Sequence, residues 1–307
     1  MNNSHVLVTG AASGLGWGCV QRLAPQVRKI TLCDIDADGA NARLAQLRNA
    51  YPALDAAYLQ VDLADPVSID QATRTLMSAA QPVDVLVNNA GIFPPAQRIT
   101  TQQGHELTFA IAHLGHFRLT AGLWPLLEAA PSAAVISVTS LVQKQASIDL
   151  DNLDLRHGYK PLRAYQQAKL ACLLFALELD RRLQASDSAV RSYAMHPGVC
   201  RSQLGANRTR QSGDGVLGWL SYWFLAKGMQ FYGQTPEQAA EPVEQAARGL
   251  YPAGSFLGPS GFLQYAGPTA LCTPGPKAAD PDLAAALWQR TLELCALDWM
   301  PGPAALK

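Results

Sequence analysis

A tyrosine and a lysine stand four residues apart in the segment Ala164-Tyr-Gln-Gln-Ala-Lys-Leu170. On a helix this spacing puts Tyr165 and Lys169 on one face, so the ammonium group can lie near the phenol oxygen. A free tyrosine has a pKa of about 10 and is a poor base near neutrality, but a neighbouring cation stabilises the phenolate. Tyr165 is therefore a candidate proton donor or acceptor. Ser140 can hydrogen-bond a substrate oxygen on which charge develops.

A glycine-rich turn follows the first apolar run and opens into a helical pattern. Its residues, with two alanines between the second and third, are Thr9, Gly10, Ser13, Gly14, Leu15 and Gly16. Glycines there permit a tight turn and close backbone approach, so the pyrophosphate of a dinucleotide can lie against the N–H groups of the helix N-terminus. The alternative interpretation is a glycine-rich turn that binds no ligand.

A carboxylate, Asp34, ends the second apolar run. At this position it can accept hydrogen bonds from the adenosine ribose hydroxyls and repel a 2′-phosphate. Neither Ile35, Ala12 nor Ser13 supplies a cation that would attract that phosphate. The sequence therefore predicts NAD in preference to NADP. The alternative is that Asp34 only caps a helix that starts near Asp36.

These motifs occur in the order typical of the short-chain dehydrogenase/reductase superfamily, which the chain resembles over nearly all of its length. The resemblance also rests on Asp62 with Leu63, Asn88-Asn89-Ala90-Gly91, and Pro197-Gly198-Val199 with Ser202. It implies hydride transfer with a nicotinamide cofactor, in which Ser140, Tyr165 and Lys169 are catalytic.

The resemblance further implies three cofactor contacts. Asp62 and Leu63, after the third strand, hold the adenine. Asn89, Ala90 and Gly91 shape the end of the central strand. Pro197, Gly198 and Val199 lead to Ser202, which matches a hydroxyl that contacts the nicotinamide carboxamide. Tyr165 and Lys169 also belong to this cofactor-binding set.

Finer details resemble the retinol-dehydrogenase and protochlorophyllide-reductase-like branch, in the segments 113–117, 149–154, 164–170 and 196–202. Members of that branch generally carry Cys-Arg where this chain has Asp34-Ile35, so their cofactor preference does not carry over. The family's fourth catalytic residue, an asparagine that helps hold a water chain behind the lysine, is Ala112 here. Slower or altered chemistry is expected, with His113 or a shifted helix as candidate compensation.

Short apolar runs alternate with helical patterns along the chain. Strands are predicted at 5–9, 29–33, 56–61, 83–87, 133–138 and 189–195, and helices at 36–49, 66–80, 104–130, 161–185, 236–250 and 283–297. This alternation predicts an α/β fold, a doubly wound parallel sheet of the Rossmann type in a single domain. Ligands of such sheets bind beyond the carboxyl ends of the strands, where the candidate residues lie.

The chain divides into a core of about residues 1–200, a substrate lid at 207–235, and closing helices with a Gly/Pro-rich segment at 236–307. The lid prediction rests on apolar and aromatic residues, namely Leu217, Trp219, Leu220, Tyr222, Trp223, Phe224, Phe231 and Tyr232. They favour a bulky apolar substrate, because small-molecule pockets are mostly apolar with a few polar groups. Core packing or a dimer contact is the alternative.

Composition restricts the classes of partner. Hydrophobic residues make up 49% of the chain, and 24 basic residues balance 24 acidic ones without a basic stripe. This composition is globular and argues against nucleic acid. Six scattered cysteines show no metal-ligand spacing, so no metal is expected.

The sequence also bears on location and assembly. The N-terminus lacks the pattern of a signal peptide and residues 215–231 fall short of a membrane span, which predicts a cytoplasmic protein and leaves peripheral membrane contact open. The family resemblance implies a homo-oligomer associated through the helices at 104–130 and 161–185.

The leading hypothesis is an NAD-dependent alcohol dehydrogenase or ketone and aldehyde reductase, whose partner is a small molecule, a fairly apolar alcohol or carbonyl substrate. Two alternatives remain. Ala112 motivates a cofactor-binding scaffold or sensor with impaired turnover. An epimerase or dehydratase would use the same residues but transfer hydride only transiently.

Overall fold

An eight-stranded sheet forms the centre of the computed structural model, which describes residues 1–201 and 233–302. The strands are β1 (His5–Thr9), β2 (Lys29–Asp34), β3 (Asp55–Gln60), β4 (Val85–Asn88), β5 (Ala134–Val138), β6 (Arg191–Met195), β7 (Phe256–Pro259) and β8 (Thr269–Leu271). Their order is β3-β2-β1-β4-β5-β6-β7-β8. Neighbouring strands are parallel except β7 and β8, which are antiparallel. The predicted doubly wound parallel sheet is confirmed.

Helices connect the strands and cover both faces of the sheet. They are α1 (Gly14–Leu23), α2 (Ala37–Ala50), α3 (Pro66–Ala79), α4 (Leu107–Phe109), α5 (His116–Glu128), α6 (Pro161–Ala185), α7 (Pro236–Ala239), α8 (Glu241–Ala247) and α9 (Pro281–Cys295). A π-helical segment, Ala110–Gly115, joins α4 to α5 and is called the π-turn below.

Proline and aspartate start several helices. Pro66 and Pro281 occupy first-turn positions, where the N–H that proline lacks would have no partner in the helix. The carboxylates before them, of Asp65 and Asp280, accept hydrogen bonds from free backbone N–H groups of the first turn. Local sequence therefore fixes where these helices begin.

The apolar core lies on both sides of the sheet. In β1, Val6 and Val8 join the cluster formed with α1 and α8, whereas Leu7 points to the cluster formed with α3, α5 and α6. All three side chains are fully buried. Burial on both faces explains why this strand is continuously apolar rather than alternating.

The structure differs from the predicted elements in three places. β7 and β8 lie in the Gly/Pro-rich stretch, where their short length hides the strand pattern. The helix predicted at 236–250 divides at Ala240, and Pro242, which lacks an N–H, occupies the first turn of α8. The helix predicted at 104–130 begins at Leu107 and is interrupted by the π-turn.

Two predictions fall largely outside the described residues. Ser202 and all but the last three residues of the lid at 207–235 belong to 202–232, which the structure does not describe. Among the described residues, no helix has both the length and the apolarity needed to cross a bilayer. The cytoplasmic location stays a prediction.

Candidate active site

The glycine-rich turn between β1 and α1 has no room for side chains. Gly10 and Gly14 adopt positive φ values of 65° and 50°, which residues with a Cβ rarely tolerate. A Cβ on Gly16 would overlap the carbonyl oxygen of Gly10. The backbone of the turn therefore lies open beside the start of α1, in the arrangement that a pyrophosphate requires.

The ends of β1 and β4 are fastened to each other through Thr9. Its buried hydroxyl accepts hydrogen bonds from the N–H groups of Asn89 (2.9 Å) and Ala90 (3.0 Å). The Asn89 amide donates back to the carbonyl oxygen of Thr9 at 2.7 Å. These bonds hold the Asn89-Ala90-Gly91 segment against the glycine-rich turn.

Asp34 stabilises the same turn from the end of β2. Its carboxylate accepts hydrogen bonds from the N–H of Ala12 (2.8 Å) and the N–H of Asp36 (3.0 Å). Asp36, and not Asp34, caps α2, because its carboxylate accepts from the N–H of Gly39. The capping alternative for Asp34 is thus set aside, and the half-buried carboxylate lines the cavity beside the turn.

Arg43 is a residue near this turn that sequence reasoning missed. Its Nε donates to the carbonyl oxygen of Ala12 at 3.1 Å, and another guanidinium nitrogen donates to Gln46 at 3.0 Å. The guanidinium lies over the Trp17 ring, 4.8 Å from its centroid. The sequence pattern of α2 does not single out Arg43, because its contact with the glycine-rich turn arises only when α2 packs beside that turn.

A cavity of about 560 Å³ runs beside the turn, which is within the usual range for small-molecule sites. Its lining includes every predicted cofactor residue from the first half of the chain: Thr9, Gly10, Ser13, Gly14, Leu15, Gly16, Asp34, Ile35, Asp62, Leu63, Asn89, Ala90 and Gly91. The open glycine backbone and the carboxylates of Asp34 and Asp62 suit a dinucleotide, so the residues fit this cofactor.

Tyr165 and Lys169 of α6 do not line the cavity themselves but lie next to residues that do. The Tyr165 ring lies 5.9 Å from the ring of Phe93, which lines the cavity. The ammonium of Lys169 is buried and donates to the carbonyl oxygen of Val138 at 3.1 Å. A Cβ on Gly91 would lie 3.5 Å from that ammonium. The lysine therefore faces the segment that shapes the cavity.

Ser140 follows β5 and is half-buried. The preceding residue, Thr139, donates its hydroxyl to the carbonyl oxygen of Lys169 at 2.5 Å. This bond ties the end of β5 to α6, so Ser140 lies on the side of the sheet edge that carries Lys169. The structure thus brings the three predicted catalytic residues to one edge.

Pro197, Gly198 and Val199 follow β6 at the same edge of the sheet. Gly198 has a φ of 65°. The backbone of Val199 pairs with that of Tyr265 and Gln234, with N···O distances of 2.8 Å. The segment is therefore held firmly beside the cavity, although it does not line it among the described residues.

Ala112, at the position of the family's asparagine, has its carbonyl oxygen engaged by two donors. His116 Nδ1 lies 3.0 Å from this oxygen, and the Cys172 thiol lies 3.2 Å from it. Because a carbonyl only accepts, Nδ1 carries the proton, and His116 Nε2 accepts from the Thr9 hydroxyl at 2.8 Å. Burial, with Lys169 nearby, lowers the pKa of His116 to about 4, which keeps the ring neutral.

His113, the candidate for compensating the missing asparagine, is hydrogen-bonded to α9. Its Nε2 lies 2.8 Å from the hydroxyl of Thr291. Burial lowers the pKa of His113 to about 3. The Ala112 carbonyl is instead engaged by His116 and Cys172, and no sequence motif indicated these contacts.

Replacing Ala112 with asparagine is expected to destabilise the protein by about 1–3 kcal/mol without raising turnover, the usual cost of overpacking a core. Ala112 is buried in a cluster with Ala168 and Cys172, which leaves no space for an amide. The double variant Ala112→Asn, Cys172→Ala has more room and should recover part of the loss. Urea unfolding and steady-state kinetics check this. Higher turnover in the single variant would mean that the site has spare space behind Lys169.

The chain is similar in sequence to known dehydrogenases over most of its length. A family model described as short chain dehydrogenase matches residues 4–213. The human protein Retinol dehydrogenase 13 is 33% identical over 300 residues, which cover 95% of this chain and 85% of the human protein. Mouse Polyprenol dehydrogenase is 31% identical over 294 residues, with 94% and 82% of the two chains covered.

A solved structure resembles the chain as a whole. The crystal structure of an uncharacterised protein from Mycobacterium paratuberculosis superposes with a TM-score of 0.75 at 31% sequence identity. The match covers 96% of this chain and 94% of the other. Fold and sequence therefore agree along nearly the whole length.

Proposed function

Because the chain belongs to the short-chain dehydrogenase family, we propose that it is an NAD-dependent oxidoreductase that interconverts an apolar alcohol and its ketone or aldehyde. One observation carries this proposal. Tyr165 and Lys169 of α6 face Phe93 and Gly91, which line the cavity beside the glycine-rich turn. A proton-transfer group therefore borders the dinucleotide site.

Different residues of the protein bind the cofactor, transfer the proton and hydrogen-bond the substrate oxygen. A nicotinamide cofactor supplies or accepts the hydride when it is bound. The N–H groups at the start of α1 would hold its pyrophosphate, and Asp34 would accept hydrogen bonds from its ribose. Tyr165 gives a proton to the substrate oxygen or takes one from it, while Lys169 stabilises the phenolate. Ser140 donates a hydrogen bond to the same oxygen.

The apolar substrate is supported by the cavity wall beyond the cofactor residues. That part of the lining is formed by Ile92, Phe93, Pro94, Pro95, Ala96, Ile99, Leu107 and Ile111. No charged side chain is among them. The names of two relatives, Retinol dehydrogenase 13 and Polyprenol dehydrogenase, agree with a long apolar alcohol.

The proposed activity is tested by incubating the purified protein with NAD and a series of primary alcohols of increasing chain length. Formation of reduced cofactor is followed by its absorbance. We expect kcat/KM to rise with chain length, because a longer apolar chain buries more surface in the site. Cofactor binding without turnover of any alcohol or carbonyl would instead support the scaffold. Product formed without net cofactor change would indicate an epimerase or dehydratase.

NAD(H) is expected to bind at least about tenfold more tightly than NADP(H), a difference of about 1.4 kcal/mol. Asp34 repels a 2′-phosphate. The neighbouring cation, Arg43, is directed onto Ala12, Gln46 and Trp17. Fluorescence titration with both cofactors measures the difference.

A double variant checks the cause of this preference. Asp34→Ala, Ile35→Arg removes the carboxylate and places a cation at a position that is 59% exposed. The preference should narrow or reverse. Equal affinities in the unmodified protein would contradict the assignment, and Ile35→Ala serves as the control that leaves the charges unchanged.

A further inference from the structure

The C-terminal segment, residues 281–302, lies over one side of α5 and α6. It consists of α9 and the residues that follow it, and α9 packs on α6 and the π-turn. The side that it covers carries Phe117, Trp124 and Phe175, which are at most 6% exposed. These are the helices through which the family resemblance implies association with a second subunit.

Aromatic side chains of the segment contact this side of the two helices. The Phe117 ring lies 4.9 Å from the Trp288 ring and 5.0 Å from the Trp299 ring, measured between centroids. Phe175 stacks on Trp288 at 5.8 Å with an interplanar angle of 12°. Each large aromatic side chain buries roughly 150–250 Å², so the two tryptophans remove a large apolar area from water.

Polar contacts fix the position of the segment. The Arg118 guanidinium donates to the carbonyl oxygen of Cys295 at 2.9 Å, and Trp124 Nε1 donates to that of Gly302 at 3.2 Å. The bond between His113 and Thr291 links α9 to the π-turn. The segment is therefore joined to the π-turn at Thr291 and to α5 at Cys295 and Gly302.

The opposite side of α9 has the character of a solvent-facing surface. Gln289, Arg290 and Glu293 are exposed, and Arg290 pairs with Glu293 at 2.6 Å. Charged residues are depleted from the centres of subunit interfaces. The face that a second copy would meet is therefore polar, while the apolar surface beneath it is already occupied.

We propose that the C-terminal segment takes the place of a partner subunit on α5 and α6, and that the protein is a monomer in solution. A second copy could reach the aromatic side of these helices only by displacing Trp288 and Trp299. That exchange would return the two tryptophan side chains to water, which costs free energy.

Sedimentation velocity of the full chain across the micromolar range tests the proposal. We expect one species with the monomer mass of 32.9 kDa at every concentration. A species of twice that mass would overturn the proposal. A dimer would overturn the proposal whether it forms through α5 and α6 or through another surface. The side chains of Phe262 and Leu271, which are 85% and 62% exposed, mark one such surface.

Two neighbouring variants test the cover itself. Trp299 is 7% exposed and contacts Phe117, whereas Met300 is 83% exposed. Trp299→Ala should increase the fluorescence of an apolar dye and introduce concentration-dependent association toward twice the monomer mass. Met300→Ala should do neither. Identical behaviour of the two variants would overturn the proposal, and if Trp299→Ala does not fold, the mass of the unmodified chain decides.

Discussion

Replacing Tyr165 with phenylalanine is expected to lower turnover about a hundredfold or more, while the affinity for NAD(H) stays nearly unchanged. The variant keeps the ring that contacts Phe93 and removes only the hydroxyl that exchanges a proton with the substrate oxygen. Cofactor binding depends mainly on the glycine-rich turn and Asp34, which the substitution does not touch. Steady-state kinetics and fluorescence titration measure the two effects separately.

Tyr159→Phe is a matched control for this experiment. The Tyr159 hydroxyl donates to the carbonyl oxygen of Pro95 at 2.6 Å, so its loss removes one structural hydrogen bond at the edge of the cavity. We expect a cost in stability of about 1 kcal/mol and a much smaller change in turnover. Full activity in Tyr165→Phe would show that the proton travels by another route.

The free energy of unfolding is expected to fall steeply as the pH is lowered from about 6.5 to about 4. Burial lowers the pKa of His113 to about 3 and that of His116 to about 4. Burial likewise lowers the pKa of His5 and of His196 to about 4. Below pH 6.5 the unfolded chain therefore binds protons that the folded chain does not, and acid favours unfolding.

The expected loss of stability can be calculated from the lowered pKa values of the histidines. One pKa unit corresponds to about 1.4 kcal/mol, so His116 alone accounts for about 3 kcal/mol between neutral pH and pH 4. Two such histidines approach the net stability of a typical protein, about 5–15 kcal/mol. Unfolding by urea at several pH values measures the slope.

Two variants distinguish the contribution of the buried histidines to the pH dependence of stability from that of the other titratable groups. His113→Gln keeps a donor for Thr291 but cannot bind a proton in this range, so its stability should depend less on pH. His157 is exposed, and His157→Gln should leave the slope unchanged. A stability that is flat from neutral pH to pH 4 would contradict the assignment of these rings as neutral and buried.

The sequence by itself determined the fold and most of the residues that line the candidate cofactor cavity, because the relevant signals are local. Strand and helix periods gave the doubly wound sheet. The parallel sheet then brings the residues after each strand to one edge, which is why Gly10, Asp34, Asp62 and Asn89 line one cavity as predicted. The four-residue spacing of Tyr165 and Lys169 needs only a helix.

Only the tertiary structure decided the features that depend on distant contacts. Arg43 meets Ala12, and Cys172 meets the Ala112 carbonyl, through the packing of helices whose separation along the chain gives no periodic signal. β7 and β8 are too short to show a pattern within their Gly/Pro-rich stretch, and they form by pairing along the edge of the existing sheet. The cover of α5 and α6 by residues 281–302 has the same origin: an amphipathic helix shows in its sequence that it will bury a face, but not which surface will bury it.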